Sequence, residues 1–296
     1  MLQRWTRRGS SRDPQIRPVT AQDVALRHAV IELCEAEPVT AVMMRRHVDA
    51  MGRRSAAYGQ LYARVQQTER GPRVDAALWS GANLIALGDQ DALSDFAKLA
   101  ASQGRRCSSI VGHLGHVTGL WEHLREVWSP PREERLDQPV LVKRQPSSVA
   151  PDPRLRFATV ADTEAIVPAV IAMYTEEVGY DPRRFGAGYE HHIRSQIRAG
   201  RTFVITEGDT PGSPVVFTAE VGVLAGDVAQ IHGVWVDPRL RGRGIGSAAM
   251  AGVCELTAAH LASTVSLYVN SYNAPAMRIY QRTGFEQVAT FATILF

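Results

Sequence analysis

Cysteine and lysine are scarce in this chain. Its three cysteines, Cys34, Cys107 and Cys254, are far apart and lie inside apolar patterns. That spacing excludes a disulfide framework and a cysteine-based zinc site, and the three read as reduced, buried thiols. No apolar run approaches the ~20 residues that a bilayer-spanning helix needs. Arg4, Arg7 and Arg8 are followed by no apolar stretch of the kind a secretory signal carries. These absences point to a cytoplasmic protein with no membrane partner. Among 33 basic residues only Lys98 and Lys143 are lysine, an arginine bias that reflects a GC-rich genome more than any chemistry.

What is present is a chain of 296 residues, 45% hydrophobic and 21% charged, enough for about two globular domains. The net charge of +3 hides an asymmetry. Residues 1–150 hold 21 basic and 16 acidic residues, whereas residues 151–296 hold 12 and 14. Five arginines fall within residues 1–17, a basic N-terminal tail. Such tails can touch nucleic acid or acidic partners, but a solvated terminus is the simpler reading and no nucleic-acid partner is expected.

Gln145 to Pro153 carries three prolines and two serines between periodic segments, so the linker is placed at 145–153. The first domain then spans 18–144 and the second 154–296. In the second, the pattern predicts a short strand at 155–158 and a helix from Asp162 to about Val178. A helix at 184–199 and strands at 202–207, 215–223 and 228–236 follow. A helix at about 244–261, a strand at 264–268, a short helix carrying Tyr280 and closing strands complete the half. The first domain predicts helices at 22–36 and 38–51, then strands at 74–79 and 82–87. It continues with a helix at 91–103, a strand at 106–111, a helix at 115–128 and a strand at 139–142. The expected fold class is α/β with mixed sheets.

The most informative stretch is Val234-Trp235-Val236-Asp237-Pro238-Arg239-Leu240-Arg241-Gly242-Arg243-Gly244-Ile245-Gly246-Ser247. A strand, a glycine-rich turn and a helix start bring backbone N–H groups and the helix dipole to bear on an anion. Gly244 and Gly246 would let the main chain approach a pyrophosphate. The P-loop is excluded because no lysine follows the glycines. Gly244 to Ala249 also reads G-x-G-x-x-A, the dinucleotide fingerprint. That fingerprint wants a carboxylate ending the next strand, and Leu267-Tyr268-Val269-Asn270 has none.

Arg241 to Gly246 matches R/Q-x-x-G-x-G/A, and the chain here resembles the GNAT family of N-acetyltransferases. A second block supports the likeness: Asn273, Ala276, Tyr280, Gly284 and Phe285 fit the family pattern N-x-x-A-x-x-x-Y-x-x-x-G-F. The predicted order of the second half, βααβββαβαβ, is also the family's. The first half has a similar rhythm, yet its counterpart of the glycine-rich loop is Gly88-Asp89-Gln90-Asp91. Carboxylates there satisfy the helix dipole themselves and would repel a pyrophosphate. The first half therefore reads as a degenerate GNAT-like domain that has lost CoA binding. It resembles the DUF4081 type found on actinobacterial GNAT proteins, through Gly81-Ala82-Asn83-Leu84, residues 104–112 and Gln138 to Val142. The resemblance implies tandem GNAT-like domains, the second complete.

The resemblance further implies acetyl transfer from acetyl-CoA to an amine-bearing acceptor, with no metal. Tyr280 occupies the family position for the proton donor to the leaving thiolate. Many relatives carry a glutamate base where this chain has Gln230. His232 lies two residues on and shares its strand face. Histidines serve at these two strand positions in the arylalkylamine branch. His232 is therefore the first candidate base and Glu220 the second. Backbone groups of Val234, Trp235 and Val236 would pair with pantetheine. The main chain of Arg241, Gly242, Arg243, Gly244, Ile245, Gly246 and Ser247 would hold the pyrophosphate, and Asn273 would touch the pantetheine or phosphate arm. Tyr174, Glu176 and Glu177 mark the acceptor side. The alternative reading is a non-catalytic acetyl-CoA-binding regulator, favoured by the missing glutamate. Acceptor identity and oligomeric state are left open.

Overall fold

A computed structural model of the chain describes residues 14–52, 59–68, 71–208, 210 and 212–296. The basic tail at 1–17 lies outside the described residues as far as residue 13. The chain divides into two compact units, one of residues 1–137 with 290–296 and the other of residues 138–289. Among the described residues no helix is long and apolar enough to cross a membrane.

The first unit runs β1 (Gln15–Val19), α1 (Val24–Ala36), α2 (Val42–Ala50), β2 (Gly59–Thr68), β3 (Gly71–Gly81) and β4 (Asn83–Gly88). It continues with α3 (Leu93–Ser102), β5 (Ser109–His113), α4 (Leu114–Leu124) and the first part of β6 (Glu133–Lys143). Strands β1 to β4 form an antiparallel meander, and β5 joins β4 in parallel. Its core gathers Leu78, Leu84, Phe96, Ile110 and Leu120. The sequence pattern missed β1 and β2. In β2 the alternation is broken by Arg64, a charged residue that is nonetheless buried because Asp75 accepts from its Nε at 2.8 Å.

The second unit contains β7 (Arg156–Phe157), α5 (Thr163–Val178), α6 (Gly188–Arg198), β8 (Thr202–Thr206), β9 (Val215–Ala225) and β10 (Val228–Val236). Then come α7 (Ile245–His260), β11 (Thr264–Tyr268), α8 (Ala274–Arg282) and the start of β12 (Phe285–Leu295). The order is the predicted βααβββαβαβ. Strands β7 to β10 are antiparallel neighbours in sequence order, and β10 pairs in parallel with β11. Helix α7 buries Met250, Val253 and Cys254 against Phe217 and Ile231 of the sheet. The three cysteines are free and buried.

The halves differ from a simple head-to-tail division in their last strands. Val140–Val142 of β6 pair antiparallel with β11 and belong to the second unit. Phe291–Leu295 of β12 pair antiparallel with β5 and belong to the first. Periodicity alone assigns a strand to its nearest neighbours in sequence, so it had no means of showing this exchange. The proline-rich stretch 145–153 lies inside the second unit, where Ser148 N donates to Arg282 O at 2.9 Å and Asp152 N to Ala248 O at 3.0 Å. Asp162 acts one turn earlier than expected. It closes a capping box with Thr159 and accepts two bonds of 2.8 Å from Arg156.

Candidate active site

The site arises where two parallel strands part. β10 and β11 pair only over Val228–Gln230 and Thr264–Ser266. Beyond Gln230, Gly233 at φ +59° bulges β10, shifting the register with β9 between His232 and Trp235. The result is a cleft of about 850 Å³ within the second unit, between the parted strands, α5, α7 and α8.

One end of the cleft is built by the turn after β10. Asp237 caps a short 3-10 turn by accepting from Arg239 N at 2.9 Å. Gly242 and Gly244 take φ of +77° and +82°, a left-handed backbone that turns the chain into α7. No hydrogen bond engages the backbone N–H groups of Gly242, Arg243, Gly244, Ile245 or Gly246 among the described residues. Unspent donors at the start of a sixteen-residue helix form a nest for an anion. The two expected glycine roles separate here. Gly244 supplies the turn. A Cβ on Gly246 would meet Ile279 Cδ1 at 2.7 Å, so Gly246 allows α7 and α8 to pack.

The arginines around the loop are engaged differently. Arg239 pairs with Asp237. Arg241 donates from Nε to Val236 O at 3.0 Å and from Nη2 to Glu176 at 2.7 Å. Arg243 is exposed and has no ion pair among the described residues. Glu176 thus ties α5 to the loop and also accepts from Trp235 Nε1 at 3.4 Å. The Trp235 ring itself lies in the core against α5. Asn273 caps α8, its Oδ1 accepting from Ala276 N at 3.2 Å.

Further in, Tyr280 lines the cleft while only 6% exposed. Burial first, then the negative field of Glu177, pushes its phenol well above the usual range, so it keeps its proton at neutral pH. His232 lines the same cleft, half-buried, with its ring edge-on to Tyr268 at 5.8 Å. Gln230, fully buried, accepts from His232 Nε2 at 3.0 Å. Glu220 stands opposite His232 in the β9–β10 register, with His192 Nε2 at 3.8 Å.

Of the predicted residues, the cleft brings together His232, Val234, Trp235, Val236, Arg241, Gly242, Gly244, Ile245, Gly246, Ser247, Asn273, Tyr280, Glu176 and Glu177. Tyr174, Glu220 and Arg243 do not line it. Tyr174 instead joins Tyr189 and Tyr180, with ring distances of 4.8 and 5.7 Å. Sequence reasoning missed Gln138 and Asn270, cleft residues joined by a 2.9 Å bond between their amides. It also passed over Gly233, although a lone glycine inside a strand is the ordinary signal of a bulge. Among the described residues no three His, Cys, Asp or Glu side chains gather to hold a metal.

The first unit has the corresponding strand parting, because β4 and β5 pair only at Asn83–Leu84 and Ser109–Ile110. There it is filled. Asp89 accepts from Asp91 N at 3.0 Å and pairs with Arg64 at 2.8 Å, while His116 Nε2 lies 2.8 Å from Gly88 O. A cavity of about 10 Å³ remains beside Met44, Leu87 and His116.

Residues 170–285 match the sequence profile of the acetyltransferase (GNAT) family. The second half of this chain is a GNAT acetyltransferase domain. Residues 59–166 match a domain of unknown function, DUF4081. A mycothiol acetyltransferase of Clavibacter michiganensis is 41% identical over 66 residues, 22% of each chain. An uncharacterized N-acetyltransferase of Methanocaldococcus jannaschii is 41% identical over 61 residues, 21% of this chain and 27% of that one. The likeness to these curated relatives thus spans about a quarter of their length or less. A solved tandem GNAT protein from the clavulanic acid biosynthesis pathway superposes with a TM-score of 0.58 at 14% identity, over 96% of this chain and 98% of that one. A GNAT acetyltransferase from Sphaerobacter thermophilus gives 0.57 at 16%, over 95% of each. At these identities the solved structures speak for the fold, a tandem of GNAT-like halves.

Proposed function

We propose that the protein transfers an acetyl group from acetyl-CoA to a primary amine by direct attack on the thioester. One observation carries this reading: Gly242, Gly244, Ile245 and Gly246, whose backbone N–H groups are unspent, line the same cleft as Tyr280 and His232. Those donors fit a pyrophosphate, and the backbone of Val234 and Val236, where β10 has parted from β11, fits the amide groups of pantetheine. Acetyl-CoA supplies the activated acyl carbon. The chain's own residues do the rest. His232, directly or through a water, takes the proton that the amine sheds, since a free alkyl amine is mostly protonated at pH 7 with a pKa near ~10. The amine nitrogen bonds to the acyl carbon, the carbon–sulfur bond breaks, Tyr280 gives its proton to the departing thiolate, and the second proton that the nitrogen loses on becoming an amide restores the Tyr280 phenol. Products are an amide and free CoA thiol. Glu220 is the second candidate base.

The filled crevice of the first unit supports a domain that has lost CoA binding. Gln230 supports a second reading, an acetyl-CoA-binding regulator, because a glutamine cannot serve as base where many relatives carry glutamate. Amine-dependent release of CoA thiol from acetyl-CoA tests the choice. Release across a panel of amines supports the transferase; tight binding without release supports the regulator.

A further inference from the structure

Strand alternation sorts the cleft residues between two faces of the sheet. Ala229 and Ile231 of β10 and Val265 and Leu267 of β11 pack under α7 together with Tyr280. His232 and Tyr268 fall on the opposite face, edge-on to each other at 5.8 Å. Tyr268 pairs with Val140, and Val269 N donates to Pro139 O at 3.2 Å, so the β6–β11 ladder runs on past Tyr268. Asn270, two residues beyond Tyr268, therefore keeps to the face of His232, with Gln138 beside it. Both line the cleft, Asn270 only 9% exposed and Gln138 3%. Gln138 Nε2 donates to Asn270 Oδ1 at 2.9 Å, which fixes how the Asn270 amide is turned. No hydrogen bond engages Asn270 Nδ2 among the described residues. A donor so nearly withdrawn from water, with no protein acceptor, is costly unless a ligand oxygen meets it.

That oxygen has no counter-ion to meet. Of the cleft's arginines, Arg241 is spent on Glu176, and Arg278 and Arg282 stand on α8, which packs with Tyr280 on the other face. The remaining charge that α5 brings to the cleft is Glu177, a carboxylate. A neutral oxygen suits the site and an anionic one does not. Resting on the acetyltransferase reading, we propose that Asn270 binds the acceptor, its Nδ2 donating to a neutral carbonyl or hydroxyl oxygen, and that Gln138 is the residue that positions it. Two strand residues span ~7 Å. The oxygen thus stands several bonds along the acceptor from the nitrogen that His232 deprotonates. Gln138 lies in the stretch that matches DUF4081, residues 59–166. That domain of unknown function then supplies part of the acceptor site through β6.

Acetyl transfer to 5-aminopentanamide and to 1-aminohexane, equal in chain length and differing in the amide group, tests this. The expected kcat/KM is at least about tenfold higher for the amide, the order that pairing one otherwise unmet donor gives. Asn270→Leu removes the donor at similar size; the ratio should fall toward one while the acetyl-CoA dissociation constant stays within about twofold. Gln138→Met should lower the ratio by raising KM for the amide, whereas an equal loss on both amines would overturn its positioning role. Equal rates on the native chain, or a ratio unmoved in Asn270→Leu, would overturn the oxygen site and leave acetyl transfer standing. Transfer to neither amine, with acetyl-CoA bound, would overturn the transferase reading instead. A calorimetric titration of the CoA-loaded protein with 5-aminopentanamide then decides the site by itself: heat that Asn270→Leu abolishes supports it, and no heat contradicts it.

Discussion

A Cβ placed on Gly222 would lie 2.2 Å from Nδ1 of His232 and 2.5 Å from its Cγ. The imidazole therefore rests directly on the neighbouring strand, and the absent side chain at 222 fixes where the ring can be. Gly222→Ala should displace it. Because a misplacement of about 1 Å can cost a reaction ~10²-fold, kcat should fall by about that much while the acetyl-CoA dissociation constant stays within about twofold. Steady-state kinetics beside calorimetry would check this; an unaltered kcat would remove His232 from the proton path.

Tyr280→Phe removes the phenolic proton but keeps the ring packed edge-on to Phe285, at 5.7 Å in the native chain. A loss in kcat of ~10²–10³ is expected, the usual contribution of a general acid, with acetyl-CoA affinity retained. Full activity in this variant would mean that another donor protonates the thiolate.

Gly244 and Gly246 should fail in different ways. Gly244 sits at φ +82° with open space around its Cα. Alanine there is strained by about 1–2 kcal/mol, and acetyl-CoA should bind about tenfold more weakly with little change in packing. Alanine at Gly246 meets Ile279, so the thermal midpoint should drop as the α7–α8 contact opens. Calorimetry and thermal unfolding of both variants would separate the roles.

Stability should depend on pH through the first unit. Burial lowers His47, stacked on Trp79 at 4.1 Å, to about 4, and burial also lowers His116. The unfolded chain takes up protons on these rings below about pH 6.5, and the folded chain resists until lower pH. Their contribution is therefore complete above about pH 6.5 and is lost as pH falls toward 4, on the order of 2–3 kcal/mol for His47. Urea midpoints at pH 7.5 and 5 should differ less in His47→Gln than in the native chain.

The chemistry-bearing half was legible because its signals are local. Glycines at 242, 244 and 284 mark backbone that L-residues avoid, and helix α7 and strand β11 carry uninterrupted patterns. What stayed hidden depends on partners far away in sequence. Arg64 reads as a surface residue until Asp75 and Asp89 are seen around it. Glu176 reads as an acceptor contact until Arg241, 65 positions later, is found on it. The exchange of last strands is invisible for the same reason: β6 and β12 have ordinary strand patterns, and only pairing decides which unit each completes.

The measurement closest to the central claim is a calorimetric titration of the full chain with acetyl-CoA. The parted strands and unspent N–H groups of the second unit predict binding, and the filled crevice of the first predicts one site per chain. One molecule of acetyl-CoA bound per chain, weakened by Gly244→Ala, is the expected result. No binding would contradict the site at residues 241–247, and two molecules per chain would contradict the loss of CoA binding in the first unit.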